Sequence, residues 1–206
     1  MKVTTEMEKS LEERLRIPIE EPELVRFPLC IKYRNAMQIL FELTEAAFLE
    51  ITDKTGRPYQ WHLESVREKA VALWRSPNTP WMESTYEDLL AKTHHGKDAL
   101  MCCEMQVAMV AYAHDLLENT SINTKDLKDW GILDLVIKDI LVLTKKPGGD
   151  LDEYYAAVKA NPVARTVKIA DLLDNIDLSR NIYSGIKEGD IQRTRNYLRR
   201  LQYLIE

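Results

Sequence analysis

Four stretches of the chain carry residue types able to do chemistry. The first is His114-Asp115, with Glu118 four residues after His114 and three after Asp115. Within a helix those spacings put Glu118 on the same face. His, Asp and Glu gathered at the end of an apolar segment are costly to bury unless they are paired or bind a metal. A neutral imidazole with carboxylates suits Mn, Fe, Zn or similar ions. The second stretch is Lys168-Ile169-Ala170-Asp171-Leu172-Leu173-Asp174-Asn175. Asp171 and Asn175 are one turn apart and Lys168 lies three residues before Asp171, so one helix face offers a cation, a carboxylate and an amide. The third, Lys54-Thr55-Gly56-Arg57-Pro58-Tyr59-Gln60-Trp61-His62, places basic groups on a turn and a histidine at the start of the next helix. The fourth is His94-His95, neighbours that point in different directions on a polar helix. They read as surface residues and stand in reserve as ligands should His62 not serve. Each stretch alone also fits a plainer role, as a solvated stripe, a cap or a surface histidine.

Helices must position these residues. A 3.6-residue period dominates, alternating runs are scarce, and the fold class is all-α. Helices are expected over 35–52, 61–74, 83–93, 98–118, 124–129, 132–144, 150–160, 162–184 and 188–205. The segment 98–118 is the most apolar. Gly56-Arg57-Pro58, Pro77 and Pro80, and Lys146-Pro147-Gly148-Gly149 break the pattern. Pro162 suits a first helical position. Residues 1–34, with Pro18, Pro22 and Pro28, read as a short helix and an irregular arm ahead of one domain at 35–206.

Composition narrows the function. The chain has 206 residues, 45% hydrophobic and 30% charged, which suits one globular domain with a sizeable core. Its net charge of -5 argues against general nucleic-acid binding, which calls for excess Lys and Arg. A basic run near the C-terminus (Lys187, Arg193, Arg195, Arg199, Arg200) reads as a solvated helix face, with a phosphate-facing patch as the alternative. Cys30, Cys102 and Cys103 form no disulfide framework and no C-x-x-C pair, and reduced thiols fit best. Cys102 and Cys103 fall in the apolar run and are expected in the core. Without an apolar signal region or a membrane-length apolar run, a cytoplasmic protein is expected.

In order and spacing these segments resemble the HD superfamily of metal phosphohydrolases, specifically its RelA/SpoT-like alarmone hydrolase branch. Lys54-x-Gly56-x-Pro58-Tyr59-x-x-His62 is similar to that branch's first metal-histidine motif, and Ala113-His114-Asp115-Leu116-Leu117-Glu118-Asn119-Thr120 to its HD motif. Leu143-Thr144, Tyr154, Asn161-Pro162, Val167-Lys168-Ile169-Ala170-Asp171 and Asn175 are similar to its third segment. The resemblance covers residues 35–205 and implies an HD-domain helical bundle. It further implies that His62, His114, Asp115 and Asp171 hold one divalent ion, typically Mn2+. Glu118 and Asn119 would occupy the positions that orient or activate the attacking water. Lys54, Tyr59, Lys168 and Asn175 would face the nucleotide. The reaction implied is removal of the 3'-diphosphate of guanosine tetra- or pentaphosphate, (p)ppGpp, as pyrophosphate.

Four positions depart from the branch. Asn119 stands where it usually carries Asp, and an amide cannot take a proton. Asp53 occupies a place often basic, Leu63 replaces a proline, and residues 76–98 look like an insertion. Other readings are an HD phosphohydrolase for a nucleoside monophosphate or a nicotinamide dinucleotide phosphate, and a catalytically weak HD domain that binds a nucleotide or protein as a regulator. Self-association is left open.

Overall fold

The computed structural model describes residues 28–76, 79, 96–181 and 185–206. The expected helix at 83–93, the reserve pair His94-His95, residues 1–27 and most of the expected insertion lie outside the described residues. Among the described residues all regular elements are helical, apart from one isolated bridge between Thr52 and Pro58. The fold is all-α.

Helix α1 spans Pro28–Phe48. It begins seven residues before the expected start, so the end of the expected arm is helical. Pro28 opens the helix instead of ending a segment, because a first-turn residue needs no N–H donor. Cys30, Tyr33, Ala36, Leu40 and Leu43 recur at helical spacing and are buried. Helix α2 spans Tyr59–Arg75 and buries His62, Leu63, Val66 and Ala70 along one stripe. Leu63, one of the four departures, is therefore a core residue.

Helix α3, Gly96–Tyr112, packs between α1 and α2. Its buried residues are nearly continuous from Cys102 to Tyr112, as expected for an apolar helix with neighbours on several sides. Cys102 and Cys103 are core residues, and the Cys102 Sγ lies 3.5 Å from that of Cys30. Short helices α4 (Leu116–Asn119) and α5 (Thr124–Asp129) follow. Asn123 and Asp126 close a reciprocal capping box on α5. Helices α6 (Asp134–Leu143) and α7 (Leu151–Ala160) come next, the latter capped by Asp150.

The central element is α8, Pro162–Ile176, which packs against α2, α3, α6, α7 and the last helix, α9, at Glu188–Ile205. Pro162 sits in its first turn and the Asn161 side chain accepts from the Ala164 N–H as the N-cap. Asn161 also donates to Asp139, 2.7 Å away, whose other oxygen accepts from Gln106 at 2.6 Å. That network fastens α8 to α3 and α6 in the core.

The expectation that α8 runs to residue 184 fails. It ends at Ile176, and the Asp177 carboxylate turns to accept from the Ser179 N–H, a local bond that competes with helix propagation. A 3-10 turn at Leu178–Asn181 follows. No helix among the described residues is long and apolar enough to cross a membrane.

Candidate metal centre

Where α3 ends, the backbone does not continue as one helix through His114 and Asp115. Ala113, His114 and Asp115 form a turn, and α4 starts at Leu116. The expected helix at 98–118 is thus interrupted. The imidazole Nδ1 of His114 donates to the Ala111 carbonyl at 2.8 Å. In a continuing helix that carbonyl would accept from the Asp115 N–H. The side chain therefore satisfies the helix end and is itself fixed in tautomer, with Nε2 facing inward. The assumption that His114, Asp115 and Glu118 share one helical face is corrected. Asp115 and Glu118 reach one cavity through a turn, while His114 packs against His62.

Three of the four residues implied as ligands converge. Ligand atoms of His62, His114 and Asp171 all lie within 4.8 Å of one another, and all three residues are buried. The Asp171 Oδ1 is 3.4 Å from His62 Nε2 and 3.8 Å from His114 Nε2. His114 Nε2 is buried without a hydrogen-bond partner among the described residues. Burial opposes a charge on this imidazole, but the carboxylates of Asp115 and Asp171 outweigh it and favour a proton at Nε2, the place that a metal ion would take. The donor set fits a divalent ion: two imidazole nitrogens and a carboxylate, the mixture that suits Mn, Fe or Zn. Asp115, the fourth, lies at the edge. Its Oδ2 is 3.3 Å from His114 Nε2 and accepts a short hydrogen bond from the Tyr59 hydroxyl.

Residues around the cluster hold it in place. The Asp171 Oδ2 accepts from buried Lys168 Nζ at 2.6 Å, and Oδ1 accepts from Asn175 Nδ2 at 2.6 Å. Lys168 and Asn175, implied as substrate-binding, line the cavity but bind Asp171. Tyr59 likewise orients Asp115 while its ring stacks on Phe48 at 5.0 Å. Burial and the neighbouring Asp115 charge push the Tyr59 hydroxyl well up, so it stays a donor. On the far side of His62, Nδ1 lies 2.6 Å from Asp174 Oδ2. Sequence reading missed Asp174 as a functional position. Its i, i+3 spacing from Asp171 was visible, but its partner is 112 residues away.

Electrostatics follow from the packing. Burial opposes a charge on His62, but the carboxylates of Asp171 and Asp174 outweigh it and raise the imidazole to about 9. Burial also opposes ionisation of Asp171, yet Lys168 and the two imidazoles hold it well below the usual carboxylate range. In the metal-free protein a proton on His62 takes up charge that a dication would supply.

His62, Asp115 and Asp171 line a cavity of about 740 Å³. Glu118 and Asn119, implied as the water-activating pair, both line it. Glu118 is engaged by Lys145 through Nζ at 3.3 Å and the backbone N–H at 3.2 Å, contacts the sequence did not foretell. Lys54 lines the opposite loop. That loop is built by Asp53, whose Oδ1 accepts from Thr55 N, Thr55 Oγ1 and Arg57 N at 2.7, 2.6 and 3.1 Å. Gly56, at φ +81°, supplies the left-handed turn. An acid at position 53 therefore has a structural reason. The basic run divides: Lys187 and Arg193 line the cavity, Arg195 and Arg199 are exposed, and Arg200 pairs with Asp152.

Comparison with protein-family models and with curated proteins gives no match for this chain.

Proposed function

We propose that the chain is an HD-type metal phosphohydrolase acting on a phosphorylated nucleotide, with (p)ppGpp or a close analogue as the leading substrate. The observation that carries this reading is the unpartnered Nε2 of buried His114, aimed at His62 and Asp171. His62, His114 and Asp171, with Asp115 beside them, are the residues that would hold the ion, and Mn2+ is the first candidate. A divalent ion supplies a lowered water pKa and offsets charge on a phosphoryl oxygen.

The remaining work falls to the chain itself. Lys168 and Asn175 fix Asp171, while Tyr59 fixes Asp115. A cavity of about 740 Å³ admits a nucleotide. Lys54 and Lys187 at its walls can offset phosphate charge, while Lys145 and Arg193 are already paired with Glu118 and Asp190. Glu118 is the group able to take a proton from water, and Asn119 can orient that water but not deprotonate it.

Incubating the protein with Mn2+ and ppGpp should release pyrophosphate. Release of inorganic phosphate from a nucleoside monophosphate, or turnover of a nicotinamide dinucleotide phosphate with ppGpp untouched, would move the substrate assignment to those compounds.

A second reading, a catalytically weak nucleotide-binding regulator, is favoured by the Lys145–Glu118 pair and by Asn119. Asn119→Asp separates the two. If the missing carboxylate limits turnover, the variant should be faster by roughly 10-fold or more. Metal and nucleotide binding without turnover in either form would favour the regulator.

A further inference from the structure

The His62 imidazole is held from both ring nitrogens by two carboxylates of one helix. Asp171 and Asp174 are three residues apart on α8. The former lies 3.4 Å from Nε2 and the latter 2.6 Å from Nδ1. Asp174 is 4% exposed, so its charge must be compensated within the protein. Its second oxygen accepts from Ser65 Oγ at 2.5 Å and from Lys69 Nζ at 3.0 Å. Lys69 Nζ also reaches Ser65 Oγ at 2.5 Å. His62, Ser65 and Lys69 fall at i, i+3 and i+7 of α2, on one helical face. Helix α2 therefore brings a candidate ligand and two donors to a single carboxylate.

An interhelical ion pair would need Lys69 and Asp174 alone. The 2.6 Å contact to the imidazole is additional, and its consequence is chemical. In the neutral ring that a metal would meet, a proton held on Nδ1 leaves Nε2, on the side of Asp171 and His114, as the atom that would bind the ion. His114 reaches the same state through a backbone carbonyl, that of Ala111. Both imidazoles thus present Nε2, but His62 does so against a carboxylate, the stronger acceptor, which makes it the more basic donor to a metal.

We infer that Asp174 is the positioning residue of the metal centre, anchored by Ser65 and Lys69, and that it sets the tautomer and donor strength of His62. The inference rests on the metal reading above and deepens it. Asp174 meets His62 at Nδ1, the ring nitrogen away from Asp171 and His114, so it acts on the centre through His62.

The test is Mn2+ affinity, read by electron paramagnetic resonance of the free ion. Wild type would be compared with Asp174→Ala, Asp174→Asn and Lys69→Met. Asp174→Ala should weaken binding 10- to 100-fold. Asp174→Asn should lose less, since an amide oxygen can still accept from Nδ1–H, and Lys69→Met less again. Nitrogen-15 spectra of the Zn2+-loaded protein give the tautomer directly. Wild type should show a strongly hydrogen-bonded, downfield-shifted Nδ1–H on His62, and Asp174→Ala should lose that shift while the His114 Nδ1–H keeps its own. Should Asp174→Ala not fold, the near-isosteric Asp174→Asn decides. Wild-type affinity and an unchanged His62 spectrum in a folded variant would overturn the inference while leaving the metal reading intact. A wild-type protein that binds no divalent ion would instead remove the metal reading, and this inference with it.

Discussion

At the scale of single residues, the site is a set of fixed protons. His114 donates through Nδ1 to Ala111 and Lys168 neutralises one face of Asp171. Deleting Asp171 would leave the Lys168 ammonium buried without its counter-charge. Asp171→Ala should cost about 3–5 kcal/mol in urea denaturation of the metal-free protein, as for other broken buried pairs. A variant as stable as wild type would contradict the pairing. His62 gives a pH dependence. Its imidazole is raised from 6.5 to about 9 in the metal-free protein, so the folded state binds the proton more tightly than the unfolded one. The associated stability is fully present below pH 6.5 and is lost as pH rises towards about 9. A metal competes with that proton, so Mn2+ affinity should climb across the same window. Thermal melts of metal-free protein at several pH values, beside Mn2+ titrations, check both limbs. Part of this layer was legible in the chain: residue type and spacing singled out His114 with Asp115 and Glu118, and His62 and Asp171 joined them as ligands only through the resemblance of three motifs in order. Asp174 to His62 and Lys145 to Glu118 were not, because each contact joins distant segments that no local spacing brings together.

Helices decide which of these residues meet, and three of their boundaries were hidden for identifiable reasons. Pro28 looked like a breaker because proline is tolerated in a first helical turn as readily as it ends a segment, and the residue type is the same in both cases. The break at Ala113–Asp115 was masked by an apolar run that reads as helix throughout. The end of α8 depended on the Asp177 carboxylate choosing Ser179, a choice that periodicity does not encode. By contrast, α5 and α9 matched their expected limits, since capping residues and breakers bracket them in the sequence. The helix that matters most is α8, which carries Lys168, Asp171, Asp174 and Asn175. Its start is held by Asn161, as N-cap and as donor to buried Asp139. Asn161→Ala removes both bonds and should cost about 2 kcal/mol or more in denaturant midpoint analysis. An effect below about 0.5 kcal/mol, the level of an ordinary surface change, would show that neither bond matters.

Across the whole molecule, the packing brings distant basic residues to one cavity among acidic ones, Asp53, Asp115, Glu118, Asp171, Asp177 and Asp190. Lys54, Lys145, Lys187 and Arg193 converge on one cavity from segments far apart in the chain. Bulk charge could not reveal this convergence, which the packing of α9 against α8 and the loop at Asp53 produce. The all-α class was legible from periodicity, and the candidate site from three short motifs in order. Every functional claim depends on the ion. A Mn2+ titration of purified, chelator-treated protein at pH 8, followed by electron paramagnetic resonance, tests it most directly. One equivalent should bind to the wild type, and His114→Gln, which removes the unpartnered Nε2, should bind at least about 100-fold more weakly while remaining folded. No stoichiometric binding to folded wild type, or undiminished binding to His114→Gln, would contradict it.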